Sequence, residues 1–276
     1  MNVIGLGKAG CAIADRFGEY PEYKIFKIDV GLVGPSCYGV EKQRGPEEYE
    51  KNAPSFKEFF KDIEGETIFV IGGSGDISGM CLRIMEEIKD SCAINVLYVH
   101  PDTQLLSEPK RLHEKVTYNV LQQYARSAAI NKIYLVSNTL VESILGTVPI
   151  MGYYKKLNDL IVYTMHMVNI FNNAEPVMGS LSPPSKIRKI CTLGIYDIEK
   201  GEEKLFFPLD SPEEISYIYG VNEERLREDG DLHTKIVSQM KGKVKDETVN
   251  VSFGVFPTNY EMDYGYVLAY SSKIQS

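Results

Sequence analysis

Two glycine-rich loops, each set between an apolar β-type run and an amphipathic helix, constrain this 276-residue sequence more than any other feature. The first reads Gly5-Leu6-Gly7-Lys8-Ala9-Gly10, after the run Asn2–Gly5 and before the helical stretch Cys11–Phe17. The second reads Gly72-Gly73-Ser74-Gly75-Asp76-Ile77-Ser78-Gly79, after Thr67–Ile71 and before Met80–Lys89. Glycine lets backbone N–H groups approach a phosphate with no Cβ in the way, and a helix N-terminus adds partial positive charge at that point. One such loop suffices for a dinucleotide-binding domain. Asp29, 19 residues beyond Gly10, supplies the acid that such a domain uses on ribose hydroxyls. A nicotinamide-dependent oxidoreductase is therefore one reading. Two loops, however, can wrap a single polyphosphate from two sides, and a dehydrogenase domain has no need of the second.

The rest of the N-terminal portion alternates strand and helix. Lys24–Ile28, Ile94–Val99 and Lys132–Val136 are further candidate strands, rich in Ile and Val and bounded by Gly, Pro, Asn or charge. This βαβα order predicts a parallel sheet covered by helices on both faces. Gly31–Gly45 reads as loop from its Gly, Pro and Ser content, and Glu47–Ile63 as a charged helical stretch with a Phe56/Phe59/Phe60 core stripe. From Met151 to Asn172 apolar residues recur at helical spacing, which predicts one long helix carrying His166 as a core histidine. Gly179-Ser-Leu-Ser-Pro-Pro184 ends that pattern, because paired prolines remove backbone donors and exclude helix before them.

Beyond the prolines the order changes. Ile187–Ile198 and Lys204–Phe207 read as strands, Ser211-Pro212-Glu213-Glu214 as the start of a capped helix, and Asn222–Met240 as a charged amphipathic helix. Val249–Phe256 and Tyr264–Tyr270 read as alternating strands, with Tyr260, Tyr264, Tyr266 and Tyr270 as sheet packing. Ser271–Ser276 reads as a frayed end. The expected organisation is a nucleotide-binding domain over 1–150, a central helix and linker over 151–185, and an α+β domain over 186–276.

Composition narrows the partners. A net charge of −8 with no dense basic cluster argues against direct nucleic-acid or anionic-membrane binding. The five cysteines form no CxxC pair, which points away from disulfide and zinc frameworks and toward a reducing cytoplasm. No apolar stretch approaches the roughly 20 residues needed to cross a bilayer. His100, His113 and His233 are isolated in the sequence and form no acid/base constellation with a persuasive spacing.

Taken in order, these motifs resemble the tubulin/FtsZ superfamily over about residues 1–175. IGLGKAGCAIADRF is similar to that family's first loop, and FVIGGSGDISGMCLRIMEEIKD to its GGGTGTG-type signature loop. Glu108-Pro-Lys-Arg111 resembles the segment whose acid contacts the ribose, and KIYLVSN, ending at Asn138, the segment whose asparagine reads guanine. Tyr154 and Asn158 fall where the family has a ring-stacking aromatic and a guanine-binding side chain, four apart on one helical face. The resemblance implies a Rossmann-like parallel-sheet GTPase domain, a long central helix and a smaller α+β C-terminal domain. It implies GTP or GDP with Mg²⁺ as ligand, bound by Gly5, Gly7, Lys8, Ala9, Gly10, Gly72, Gly73, Ser74, Gly75, Asp76, Ser78, Gly79, Glu108, Asn138, Tyr154 and Asn158. It also implies self-association into a head-to-tail homopolymer.

Departures from the pattern bear on turnover. Asp76 stands where the family has threonine and Ile77 where it has glycine, while Ala12 matches a base-holding asparagine of bacterial relatives. In relatives, a loop after the long helix carries two acids into the next subunit's nucleotide pocket. Here Leu181 and Pro184 lie near those positions, and leucine and proline cannot polarise water. Glu175 is the only acid nearby, which leaves it as the one catalytic candidate and makes slow or absent hydrolysis the expectation. A non-polymerising adaptor that has kept the fold and lost turnover is the alternative.

Overall fold

The computed structural model describes residues 1–244 and 248–276, which form two compact units, Met1–Val162 and Tyr163–Ser276. The division falls inside a helix that runs unbroken over Tyr153–Asn172. Among the described residues no helix is long and apolar enough to cross a membrane.

The first unit contains β1 (Asn2–Leu6), α1 (Gly7–Phe17), β2 (Lys24–Val30), β3 (Cys37–Val40), α2 (Pro46–Lys51), β4 (Gly65–Gly72), α3 (Cys81–Ile88), β5 (Cys92–His100), α4 (Glu108–Arg126), β6 (Lys132–Ser137), α5 (Asn138–Leu145) and the start of α6 (Tyr153–Asn172). Its strands lie in the order β3-β2-β1-β4-β5-β6, all parallel. Ile68, Phe69, Val70 and Ile71 of β4 are all buried, as are Val96, Leu97, Tyr98 and Val99 of β5. Strands apolar on both faces need helices on both faces, which the connecting helices supply.

Register fixes where chemistry can sit. Leu6 pairs with Ile71, Gly72 with Val99, and His100 with Ser137, so the carboxyl ends of β1, β4, β5 and β6 finish along one edge. The strand order reverses direction between β1 and β4, and the crevice outside the carboxyl ends at such a switch point is where open α/β sheets bind ligands. The two glycine loops follow these two strands.

Two local expectations fail here. Gly31–Gly45 is not all loop, because β3 adds to β2 through Lys27–Cys37 to Val30–Val40. An edge strand of four residues takes its stability from the neighbour it pairs with, not from its own propensity. The helix there is Pro46–Lys51, which leaves most of the stretch Glu47–Ile63 outside it. Phe56 follows it in irregular chain and Phe59 and Phe60 in a turn, and they still form core, with Phe59 at 5.6 Å from Phe26 and Phe56 at 4.8 Å from Tyr38 between ring centroids.

The second unit holds the rest of α6, then β7 (Met178–Ser180), β8 (Ile190–Asp197), β9 (Glu202–Leu205), β10 (Glu214–Asn222), α7 (Glu223–Glu228), α8 (Leu232–Lys243), β11 (Asn250–Thr258) and β12 (Tyr264–Ser271). Its strands run β8-β12-β10-β11-β7, with β9 paired to β8. Among the described residues of this unit, only β10 and β11 pair in parallel. Leu232, Ile236 and Met240 of α8 pack on Tyr196, Tyr217, Tyr219 and Val255, closing this unit's core.

The helix expected from Ser211 is instead β10. Ser-Pro-Glu-Glu has the local form of a helix start, but the following Ile-Ser-Tyr-Ile-Tyr is β-branched and aromatic and pairs on both sides, with β11 and β12. The helix expected over Asn222–Met240 is two helices. Asp229 Oδ1 accepts from the backbone N–H of Asp231 and of Leu232, and this turn breaks α7 from α8. The C-terminal residues are not frayed. Gln275 is buried, its Oε1 accepts from Asp210 N, and Ser272 donates to Glu213 Oε1 at 2.6 Å.

Candidate nucleotide site

The first loop is shaped by backbone lying on backbone. A Cβ on Gly5 would sit 2.4 Å from the Gly10 carbonyl oxygen, and one on Gly10 would sit 2.6 Å from the Val70 carbonyl oxygen. These two glycines therefore let the start of α1 rest directly on β1 and β4. Gly7 opens the helix at φ +71°, a conformation that favours glycine. Lys8 and Ala9 are exposed in the first turn, which carries no acidic residue. The N–H groups of a first helical turn have no intrahelical acceptor, so an anion is the natural occupant of this end. Cys11, one turn in, is no nucleophile: burial, then the Asp29 carboxylate, pushes its thiol up to about 12.

Side chains shape the second loop. Gly73 lies against Tyr98, whose hydroxyl would be 2.2 Å from a Cβ there. That hydroxyl donates to Glu114 Oε1 at 2.9 Å, and the same buried carboxylate lies 3.3 Å from His100 Nε2. Burial first, then the Glu114 charge, holds the Tyr98 phenol well above its ordinary value. Asp76 faces Lys110 Nζ at 3.8 Å. Ser78 donates to the Gly75 carbonyl at 2.6 Å, and His113 Nε2 lies 2.9 Å from Ser78 Oγ and 3.2 Å from that carbonyl. Gly79 serves packing, since its Cβ would meet the Pro46 carbonyl oxygen at 2.1 Å.

The two loops adjoin. Ala9 Cβ is 3.3 Å from the Cβ position of Gly72, and Ile77 Cγ2 is 2.6 Å from that of Gly7. Ile77 is buried, so a branched apolar side chain fills the space between the loops where the resembled family has glycine.

Two of the remaining expected residues, Glu108 and Asn138, follow strands of the same edge. Glu108 is exposed in the first turn of α4, after β5. Asn138 is the first residue of α5, half-buried, directly after β6. Tyr153 donates to Glu142 Oε2 at 2.7 Å and so ties the start of α6 to α5. Tyr154 is 68% exposed and open to a planar partner, whereas Asn158, one turn on, is 9% exposed. Asp159 beside it pairs with Arg16 of α1. Glu175 is exposed and belongs to the other unit.

The grip of α4 on the second loop is not legible in the sequence. Lys110, His113 and Glu114 share one helical face, a spacing visible in the sequence, but only the fold shows that the face meets Gly72–Gly79. His113 and His100 are thus not isolated. The site fits a polyphosphate on its first loop, which is free of acid, and on its second, where Lys110 faces the one carboxylate of the two loops.

No protein-family profile matches the sequence and no curated protein matches it. Solved structures do match. A GTPγS-form protofilament of TubZ from Bacillus thuringiensis serovar israelensis aligns with 98% of this chain and 86% of its own, at 13% identity and a TM-score of 0.74. CetZ1 from Haloferax volcanii, a GDP-bound monomer, aligns with 99% of this chain and 94% of its own, at 14% identity and a TM-score of 0.71. An empty FtsZ dimer from M. jannaschii aligns with 98% and 87%, at 13% identity and a TM-score of 0.67. The chain has the tubulin/FtsZ fold. That fold accounts for the sequence of elements seen here: a parallel unit with loops along one edge, a 20-residue helix, and a second unit with a mixed sheet. The fold implied by the resemblance is the fold observed.

Proposed function

We propose that this tubulin-like chain binds a guanine nucleotide between its two glycine loops and assembles head to tail into filaments, hydrolysing GTP slowly or not at all. The observation that carries the reading is the pair of adjoining loops at the switch point between β1 and β4. In this reading the α1 N-terminus with Lys8 and the loop Gly72–Gly79 hold the phosphates, Glu108 meets the ribose, Tyr154 stacks on the base, and Asn138 and Asn158 read guanine. Mg²⁺, when bound with the nucleotide, would neutralise phosphate charge, and Asp76 is the carboxylate the loops offer it. Self-association is supported by large apolar side chains left in water on the first unit, with Leu105 at 84%, Ile150 at 93% and Met151 at 89% exposure. A nucleotide completing a heterologous interface gives a contact that repeats without closing.

Hydrolysis is weak in this reading because Leu181 and Pro184 offer nothing to orient water, and Glu175 stands alone. The packing of Ile77 over Gly7 favours a second reading, an adaptor that keeps the fold without assembling. Electron microscopy of concentrated protein with GTP and Mg²⁺ separates them. Filaments that disappear with Met151→Asp support assembly, and particles of one size with or without GTP support the adaptor.

A further inference from the structure

The histidine on α4 reaches the second loop through one ring nitrogen. The Gly75 carbonyl can only accept, so the tautomer that satisfies the 3.2 Å contact with His113 Nε2 is the one with the hydrogen on Nε2. The Ser78 hydroxyl has one proton and directs it to the same carbonyl at 2.6 Å, leaving its lone pairs toward Nε2 at 2.9 Å. The Gly75 carbonyl also accepts from Ser78 N at 2.9 Å. One imidazole therefore fixes the turn Gly75–Ser78 from outside the loop, with Ser78 itself buried. Three residues earlier on the same face, Lys110 faces Asp76, and one residue later Glu114 holds the Tyr98 hydroxyl under Gly73. The middle contact is the one made to the loop's own backbone.

We propose that His113 is a positioning residue for the phosphate-binding loop: its Nε2–H, shared between Ser78 Oγ and the Gly75 carbonyl, holds Gly72–Gly79 in the shape that receives the phosphates of a nucleotide. This rests on the guanine-nucleotide reading. His113 does not touch the base in this account, so its effect is confined to ligands with a phosphate chain. Glutamine places an amide N–H at comparable reach and keeps the clamp, whereas leucine keeps bulk and loses the donor.

The test is calorimetric titration of GTP and GDP, with guanosine by competition, into wild type, His113→Leu, His113→Gln, Ser78→Ala and the His113→Leu/Ser78→Ala double variant. His113→Leu should weaken GTP and GDP by about ten-fold, the size of one lost donor to a buried polar pair, and leave guanosine unchanged. His113→Gln should recover most of that loss. The double variant should be little worse than the worse single one, because both act through one turn. Should His113→Leu not fold, Ser78→Ala alone carries the same selective loss. Unchanged GTP affinity in His113→Leu and Ser78→Ala, or an equal loss for guanosine that glutamine does not rescue, overturns the positioning role. Failure of wild type to bind any guanine ligand overturns the underlying reading instead.

Discussion

The two glycine loops meet at one crevice, yet they are built in opposite ways. In Gly5–Gly10 the shape comes mainly from main chain packed on main chain, with Gly5 against Gly10 and Gly10 against Val70, while the Ile77 side chain closes on Gly7. In Gly72–Gly79 the shape comes from side chains reaching in from α4 and β5: Lys110, His113, Glu114 and Tyr98. The first kind is rigid by exclusion, since only glycine fits. The second is rigid by hydrogen bonding and can be loosened one contact at a time.

The contrast predicts a graded set of losses. Gly10→Ala should cost about 3 kcal/mol, as an overpacked methyl against a backbone oxygen that has nowhere to move, read by urea denaturation. A loss under about 1 kcal/mol would mean the helix start shifts freely and the first loop is not set by exclusion. Glu114→Leu should cost about 2 kcal/mol, because it leaves the Tyr98 hydroxyl and His100 without their shared buried acceptor. Gly73→Ala should destabilise through its clash with the Tyr98 hydroxyl, and Tyr98→Phe should relieve part of it, with a coupling of about 1 kcal/mol in a double-mutant cycle. Additive losses there would break the claim that side chains define the second loop. Lys110→Ala should change stability by less than about 0.5 kcal/mol, since the pair with Asp76 is 3.8 Å apart and 46% and 40% exposed.

The same contrast explains what could be read from the sequence. Parallel strands with continuous apolar runs announce themselves, and β1, β2, β4, β5 and β6 extend past the expected spans by no more than two residues at either end. The first loop is legible because glycine spacing is its mechanism. The second is legible as a loop but not as a clamp, because its partners lie up to 38 residues away and a helical face at 110, 113 and 114 does not say what it faces. Elements made by tertiary pairing were hidden in the same way: β3 owes its existence to β2, and β10 overrides a helix-start signal because strands flank it on both sides. The tail Ser271–Ser276 looks free in composition and is held by Glu213 and Asp210, again by remote partners.

The central claim is that both loops serve one guanine nucleotide. The most direct measurement is calorimetric titration of GTP into nucleotide-free protein with Mg²⁺, with ATP and NADH as controls. Saturable binding selective for GTP and weakened by Asn158→Ala is the predicted result; binding of no nucleotide, or of NADH in preference to GTP, would contradict it.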